Sequence, residues 1–221
     1  NQVVTISTFT EYVISGLDPA TNYHVNIKGD CTSASRGYSN LSSTISFTTL
    51  CNAVSLPQSF DFDSETIGEV PNCWNIIAPT TASAINSTKH NGESGNSLAL
   101  VSTVDAQALA TTTPIAHNGN DIQVDFYANT TTTGANLTVG LISDPFDFSS
   151  FEPIYSCELT ANTWNNVRFN TFNSQQGTQQ GLMIGFVVAS GAATTIYLDD
   201  VTISAIPSCP RLEDFKVDLA D

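Results

Sequence analysis

Apolar and polar residues alternate along most of the chain with a period of two residues. Such alternation places every second side chain on the same face of an extended strand, so it predicts half-buried β-strands. Gly, Pro, Asn and Asp bound these segments and predict turns. The clearest segments are Ser97–Val101, Ile122–Phe126, Leu137–Leu141, Trp164–Phe169, Leu182–Val188 and Ile196–Ile203. With helical periodicity nearly absent, about ten short strands between Gln58 and Ser204 predict a two-sheet sandwich or a barrel.

The first fifty residues carry a different pattern. A Leu-x-Pro-x-Thr-x-Tyr segment, Leu17–Tyr23, precedes a short alternating strand, and a second strand follows at Ile45–Thr49. The first segment resembles the turn before the sixth strand of a fibronectin type III domain, where the Tyr hydroxyl bonds back to the turn backbone, and the second resembles the last strand. Residues 1–50 are therefore predicted to be the C-terminal half of a fibronectin type III-like domain. A generic Asp-Pro turn before a strand is the alternative.

The central segment, residues 51–208, carries three motifs in order. They are a Phe-acid pair in Phe60–Ser64, a Pro-x-Cys-Trp in Val70–Trp74 and a terminal Leu-Asp-Asp-Val strand in Tyr197–Ile203. Together they resemble MAM-like jelly rolls, which include the cleaved-adhesin and choice-of-anchor J-type modules of Bacteroidota surface proteins. The resemblance implies an all-β fold, a jelly-roll β-sandwich, preceded by part of a fibronectin type III-like sandwich. It also implies a non-catalytic module, because relatives act as adhesins, carbohydrate-binding modules or appendages of secreted enzymes.

The ends of the chain indicate a piece of a longer protein. It begins with Asn1, its one Met is Met183, and no signal peptide is recognised. Residues 209–221 look like the start of a further fibronectin-like domain, so neighbouring β-domains of the same polypeptide are the expected partners.

Charge and composition narrow the function further. The 221 residues include 21 acidic and 6 basic ones, a formal net charge of −15, with no basic run. Nucleic acid is excluded as a partner because phosphate binding needs clustered Lys and Arg. No apolar stretch reaches the length of about 18 residues that a membrane-spanning helix needs. Low charge content and abundant Ser, Thr and Asn favour a secreted or cell-surface β-protein.

Several acids fall where the resemblance predicts a calcium site. Asp outnumbers Glu by 14 to 7, and short carboxylates with backbone carbonyls are suitable ligands for Ca²⁺. Jelly rolls of this type place the first and last strands side by side, which would bring Asp63 near Asp199 and Asp200. Carboxylates that close repel each other unless a proton or a cation bridges them. A structural Ca²⁺ site is therefore predicted on Asp63 and Asp199, with Asp200 or Asp61; the alternative is that alternation directs some of them to solvent, with Asp199 and Asp200 on opposite faces.

The five cysteines form no Cys-x-x-Cys pair, so disulfides are expected rather than zinc binding. Cys31 and Cys51 would lie at opposite ends of antiparallel strands, more than about 20 Å apart, which excludes their pairing. Cys51 and Cys209 flank the jelly roll and are predicted to pair, as are Cys73 and Cys157. Cys31 would be free or bonded outside this segment.

No catalytic motif is recognised, and His90 and His117 lie in turn sequences. Trp74 and Trp164 are predicted to lie in the core. Tyr127 shares a strand face with Asp125 and Gln123, which could be an ordinary solvent face or the lining of a sugar-binding groove. The segment Asp144–Phe148 is an acidic loop, and aromatic residues in and after it are further candidates for ligand contacts: Phe146, Phe148, Phe151 and Tyr155.

The function predicted first is a non-catalytic extracellular module of a large secreted or cell-surface protein, in adhesion or as a spacer, with structural calcium. The alternative is a carbohydrate-binding or accessory module of a secreted glycoside hydrolase or protease. Glycans or surface proteins are the possible external partners, and the sequence does not identify the ligand.

Overall fold

The alternating segments fold as antiparallel β-strands in the computed structural model, which describes residues 12–88, 90, 95–172 and 174–206. The chain divides into two compact units, residues 1–52 and residues 53–221. The predicted start of a further domain, residues 209–221, lies outside the described residues. The helical segments among the described residues are single 3-10 turns, and none could cross a bilayer.

The described part of the first unit contains a two-stranded sheet. Strand β1 (Asn22–Val25) pairs antiparallel with β2 (Ile45–Thr48), and a 3-10 turn, Thr32–Ala34, lies between them in the chain. Tyr23 and Phe47 are opposite each other and stack with ring centroids 5.9 Å apart. The alternation of the two strands therefore produces one apolar face, as in half of a sandwich.

The turn before β1 forms the predicted hydrogen bond. The backbone N–H of Asp18 donates to the hydroxyl oxygen of Tyr23 at 2.8 Å. The hydroxyl of Thr49 donates to the carbonyl oxygen of Asp18 at 2.6 Å, which ties the end of β2 to the same turn. The predicted hydrogen bond between the Tyr23 hydroxyl and the turn backbone, known as a tyrosine corner, is confirmed. Membership of the fibronectin type III fold stays a prediction.

The second unit is a sandwich of two sheets. Its strands are β3 (Gln58–Phe60), β4 (Asn75–Ile77), β5 (Ile85–Asn86), β6 (Ser97–Ser102), β7 (Ala108–Thr111), β8 (Ile122–Thr130), β9 (Asn136–Ile142), β10 (Phe151–Glu158), β11 (Asn165–Asn170), β12 (Met183–Val188) and β13 (Thr194–Ala205). One sheet has the order β10–β9–β12–β7–β4 and the other β11–β8–β13–β6–β5, with β3 paired to β13. The predicted all-β sandwich is confirmed.

Aromatic side chains join the two sheets in the core. Phe186 of β12 stacks on Trp74 with ring centroids 6.0 Å apart and meets Phe126 of β8 edge to face at 5.3 Å. Trp74 is 4% exposed, which confirms its predicted place in the core. The contact between Phe186 and Phe126 bridges the sheets, since β12 and β8 belong to different ones.

The outer faces of the two sheets differ. Met183 and Val187 lie on the outer side of the five-stranded sheet, where they are buried against Phe148 and Phe151. In the six-stranded sheet, β8 instead alternates between buried residues and partly exposed polar ones. The six-stranded sheet therefore offers the open polar face of the sandwich.

Candidate functional site

The open face of the six-stranded sheet carries polar side chains in rows that cross neighbouring strands. Asp125 of β8 lies between Arg168 of β11 and Thr202 of β13 in the strand register. Two residues further along β8, Tyr127 lies opposite Asn166 of β11. Because side chains on one sheet face recur every second residue, these five groups share one surface.

The rows line a cleft with a volume of about 550 Å³. Its lining residues are His90, Asp125, Tyr127, Asn166, Arg168, Asp200 and Thr202. Asp125 forms an ion pair with Nε of Arg168 and accepts a hydrogen bond from Nε2 of Gln123 at 2.8 Å. Asp125 and Tyr127 of the polar stripe therefore line a shallow, open cleft, Gln123 does not line it, and a sugar-binding role for this face stays a prediction.

A β-bulge in β13 places two acids on this face. The register with β8 shifts between Asp199 and Thr202, and Asp200 has a φ of +50°, in the left-handed region that Asp tolerates better than most residues. Leu198 and Val201 are both fully buried, so the inward alternation skips one residue. Both carboxylates bond to the same histidine. The expectation that Asp199 and Asp200 lie on opposite faces is therefore wrong, because the bulge inserts the extra residue.

His90 connects these acids to the aromatic side chains. Its backbone N–H donates to Oδ2 of Asp199 at 3.2 Å, and its Nδ1 lies 2.8 Å from Oδ2 of Asp200. Its ring stacks on Tyr127 with centroids 3.6 Å apart and meets Trp164 edge to face at 5.4 Å. Trp164 is partly exposed at this aromatic cluster, so its predicted place in the core is wrong. The sequence indicated only a turn at His90.

The charged form of Asp199 is disfavoured by its surroundings. It is 4% exposed, and burial, with the nearby carboxylates of Asp200 and Asp63, raises its pKa from 3.8 to about 6. Hydrogen bonds from the N–H groups of Asp200 and His90 partly offset that rise. A proton or a cation at this point would relieve the repulsion.

The other predicted calcium ligands lie near the paired first and last strands. Strand β3 pairs with β13, as predicted, and Oδ1 of Asp63 accepts a hydrogen bond from the N–H of Asn96 at 3.2 Å. Oδ1 of Asp61 accepts from the N–H of Asp63 at 3.2 Å, as in an Asx turn. Within residues 12–88, 90, 95–172 and 174–206, no group of three or more His, Cys, Asp or Glu side chains is arranged to hold a metal ion. The oxygen chemistry suits Ca²⁺, but the described residues alone do not form its full ligand set.

The cysteines differ from the prediction. Cys31 and Cys157 are free thiols, so the predicted pair of Cys73 with Cys157 is wrong. Burial raises the pKa of the Cys157 thiol. Cys51 and Cys73 are each disulfide-bonded, and Cys209, the predicted partner of Cys51, lies outside the described residues.

The aromatic residues of the acidic loop divide between packing and exposure. Phe148 and Phe151 cover the outer face of the five-stranded sheet. Tyr155 stacks on Phe169 at 5.7 Å, and Phe146 is 62% exposed. None of the four loop candidates lines the cleft.

The two packed sheets define a jelly-roll β-sandwich, the fold class predicted from the sequence. The K1 adhesin domain of Lys-gingipain from Porphyromonas gingivalis W83 is 16% identical, with a TM-score of 0.50 over 68% of this chain and 98% of that chain. The K2 adhesin domain of Lys-gingipain is 14% identical, with a TM-score of 0.50 over 67% of this chain and 97% of that chain.

A xylan-binding module is also similar, at 18% identity and a TM-score of 0.46 over 68% of this chain and 96% of that chain. No family model matches the chain, and no curated protein matches it. At these identities the structural likeness shows the fold alone.

Proposed function

We propose that the chain is a non-catalytic extracellular module that binds glycans in the cleft of the six-stranded sheet. One observation carries the proposal: the ring of Tyr127 lies in the same cleft as the polar side chains of Asn166, Arg168 and Thr202. His90 covers one face of the Tyr127 ring, so Tyr127 offers its hydroxyl and its uncovered ring surface to a sugar, while amide, guanidinium and hydroxyl groups bond to the sugar's hydroxyls. The disulfide-bonded Cys51 and Cys73 support an oxidising, extracellular location.

This proposal reverses the order of the two functions predicted from the sequence. Carbohydrate binding was the alternative, and it comes first because the cleft supplies a ligand surface. Adhesion is the same function when the glycan belongs to another cell surface. A pure spacer is the competing function, since a spacer needs no ligand.

Replacing Tyr127 with alanine is expected to lower the affinity for any bound glycan by about tenfold or more, because the variant loses the hydroxyl and the partly exposed ring surface that line the cleft. A glycan array identifies the ligand, and calorimetric titration of the full chain measures the affinity. Tyr12→Ala is the matched control, since Tyr12 is 48% exposed in the other unit. Absence of binding to every glycan on the array at high protein concentration would instead support the spacer function.

We also propose a structural Ca²⁺ held by Asp63 and Asp199, with Asp200 or Asp61 and further oxygen donors. The raised pKa of Asp199 supports it, since repulsion from Asp200 and Asp63 contributes to that rise. Calcium added to metal-stripped protein is expected to raise the melting temperature by about 3 °C or more. Asp199→Asn should reduce this rise and Asp105→Asn, at an exposed position, should not. An unchanged melting curve of the wild-type chain would contradict the site.

A further inference from the structure

The positive charge of Arg168, which lines the cleft, is compensated by the carboxylate of Asp125. Arg168 contacts Asp125 through Nε, and the Asp125 carboxylate is held in place by the hydrogen bond from Gln123. The Arg168 side chain is still 48% exposed, so its terminal nitrogens Nη1 and Nη2 can reach a ligand. The guanidinium therefore offers hydrogen-bond donors without a net positive charge at this position.

The rest of the cleft mixes donors with acceptors. Asn166 offers an amide, Thr202 a hydroxyl, and Asp200 a carboxylate whose Oδ2 is engaged by His90. Sugar hydroxyls both donate and accept, so such a mixed lining suits them. A carboxylate or sulfate group on a ligand only accepts, and it would gain nothing from Asp200 or Asp125.

In calcium-free buffer, the electrostatic field at the cleft disfavours anions. Asp125 and Asp200 line the cleft, and Asp199 lies beside it beneath His90. The whole chain has a formal net charge of −15. A chain with this charge repels polyanions at long range, and a single paired Arg does not reverse that repulsion.

We propose that the cleft selects neutral glycans against uronic acid-containing and sulfated ones, with the Arg168–Asp125 ion pair as the specificity determinant. This inference rests on the proposed glycan-binding function. By pairing with Arg168, Asp125 compensates the positive charge that would attract an anion and leaves the guanidinium as a hydrogen-bond donor for neutral hydroxyls. The selection is thus a property of the pair and not of either residue alone.

The first test uses the full wild-type chain in calcium-free buffer and two sets of probes. Neutral xylo-, galacto-, cello- and manno-oligosaccharides form one set, and oligogalacturonate, alginate oligomers and dextran sulfate form the other. Calorimetric titrations should show binding within the neutral set only. Because no charge is exchanged, the affinity should change less than about twofold between low and high salt, whereas screening would weaken the binding of an anion.

The second test uses variants of the pair. Arg168→Gln is expected to lower the affinity for the neutral ligand by about tenfold or more, since a charged donor is lost. Arg36→Gln, at an exposed position of the other unit, is the matched control. Asp125→Asn should release the charge of Arg168, so the affinity for oligogalacturonate relative to that for the neutral ligand should be higher in this variant than in the wild type. Melting curves verify that each variant is folded.

The outcomes separate this inference from the function on which it rests. Tighter binding of an anionic probe than of any neutral one, lost in Arg168→Gln, would overturn neutral selection and leave glycan binding intact. An unchanged affinity for the neutral ligand in folded Arg168→Gln would overturn the role of the pair. Failure of both probe sets to bind would remove the proposed function and this inference with it. The wild-type measurements test the selection of neutral glycans even if one variant does not fold, and the other variant then tests the role of the pair.

Discussion

Replacing Phe186 with alanine is expected to lower the free energy of unfolding of the second unit by about 3–5 kcal/mol. The side chain is fully buried, and its ring contacts Trp74 and Phe126. Since Phe126 lies in the opposite sheet, the variant loses an aromatic contact that holds the sandwich together and leaves a cavity between the sheets. Urea unfolding followed by tryptophan fluorescence would measure the loss, because Trp74 reports directly on this part of the core.

Phe146→Ala is the matched control for this prediction. Phe146 is 62% exposed, so the same change of side chain removes little buried surface and should cost about 0.5 kcal/mol or less. Equal losses in the two variants would contradict the core described for the second unit. A collapse of cooperativity in Phe186→Ala, seen as a smaller dependence on urea, would still show that the residue joins the two sheets.

Strand alternation was sufficient to predict a sandwich or a barrel and a polar stripe on one strand face, whereas the choice of a jelly-roll sandwich came from the family resemblance. In β8, Ile122, Val124 and Phe126 are buried while Asp125 and Tyr127 face outward, as their positions in the sequence indicate. The prediction succeeds because side chains of a strand alternate between its two faces. A shift of the pairing by one residue would turn every buried apolar side chain of the strand toward solvent. The pairing of the first and last strands was also correct, but it came from the family resemblance.

The bulge at Asp199 and Asp200 could not be predicted from alternation. Two adjacent acids between Leu198 and Val201 fit a regular strand almost as well as a bulged one. The deciding interactions come from His90, which is more than a hundred residues away in the chain. A position of that kind is fixed by tertiary contacts and has no local signal in the sequence.

Trp164 shows the same limit for an aromatic residue. Its large apolar surface favours a core position, yet it lies beside the His90 ring at the edge of the polar face. Its location depends on a contact with His90, which is distant in the chain, and local patterning carries no information about that contact. A Trp next to polar residues such as Asn165 and Asn166 is a weak signal that could have suggested this site.

In calcium-free buffer, the contribution of Asp199 is expected to destabilise the fold as the pH rises from about 4 to about 6. Its pKa is raised to about 6 in the folded chain from an ordinary value of 3.8, so within this window the folded state binds more protons than the unfolded state. Stability therefore falls with rising pH, by up to about 3 kcal/mol, and no further loss occurs above the folded pKa.

Subtraction of a variant isolates this contribution, because the lowered pKa of Glu152 gives a slope of the opposite sign. Urea unfolding at several pH values should show that Asp199→Asn loses the destabilising component and that Asp105→Asn keeps it. If Ca²⁺ binds here, saturating calcium should abolish the loss in the wild type, since a cation favours the charged carboxylates. A wild-type curve parallel to that of Asp199→Asn would show that the carboxyl titrates normally. If the wild type loses stability with rising pH equally in the presence and absence of calcium, the raised pKa of Asp199 would stand and the proposed Ca²⁺ site at these acids would be contradicted.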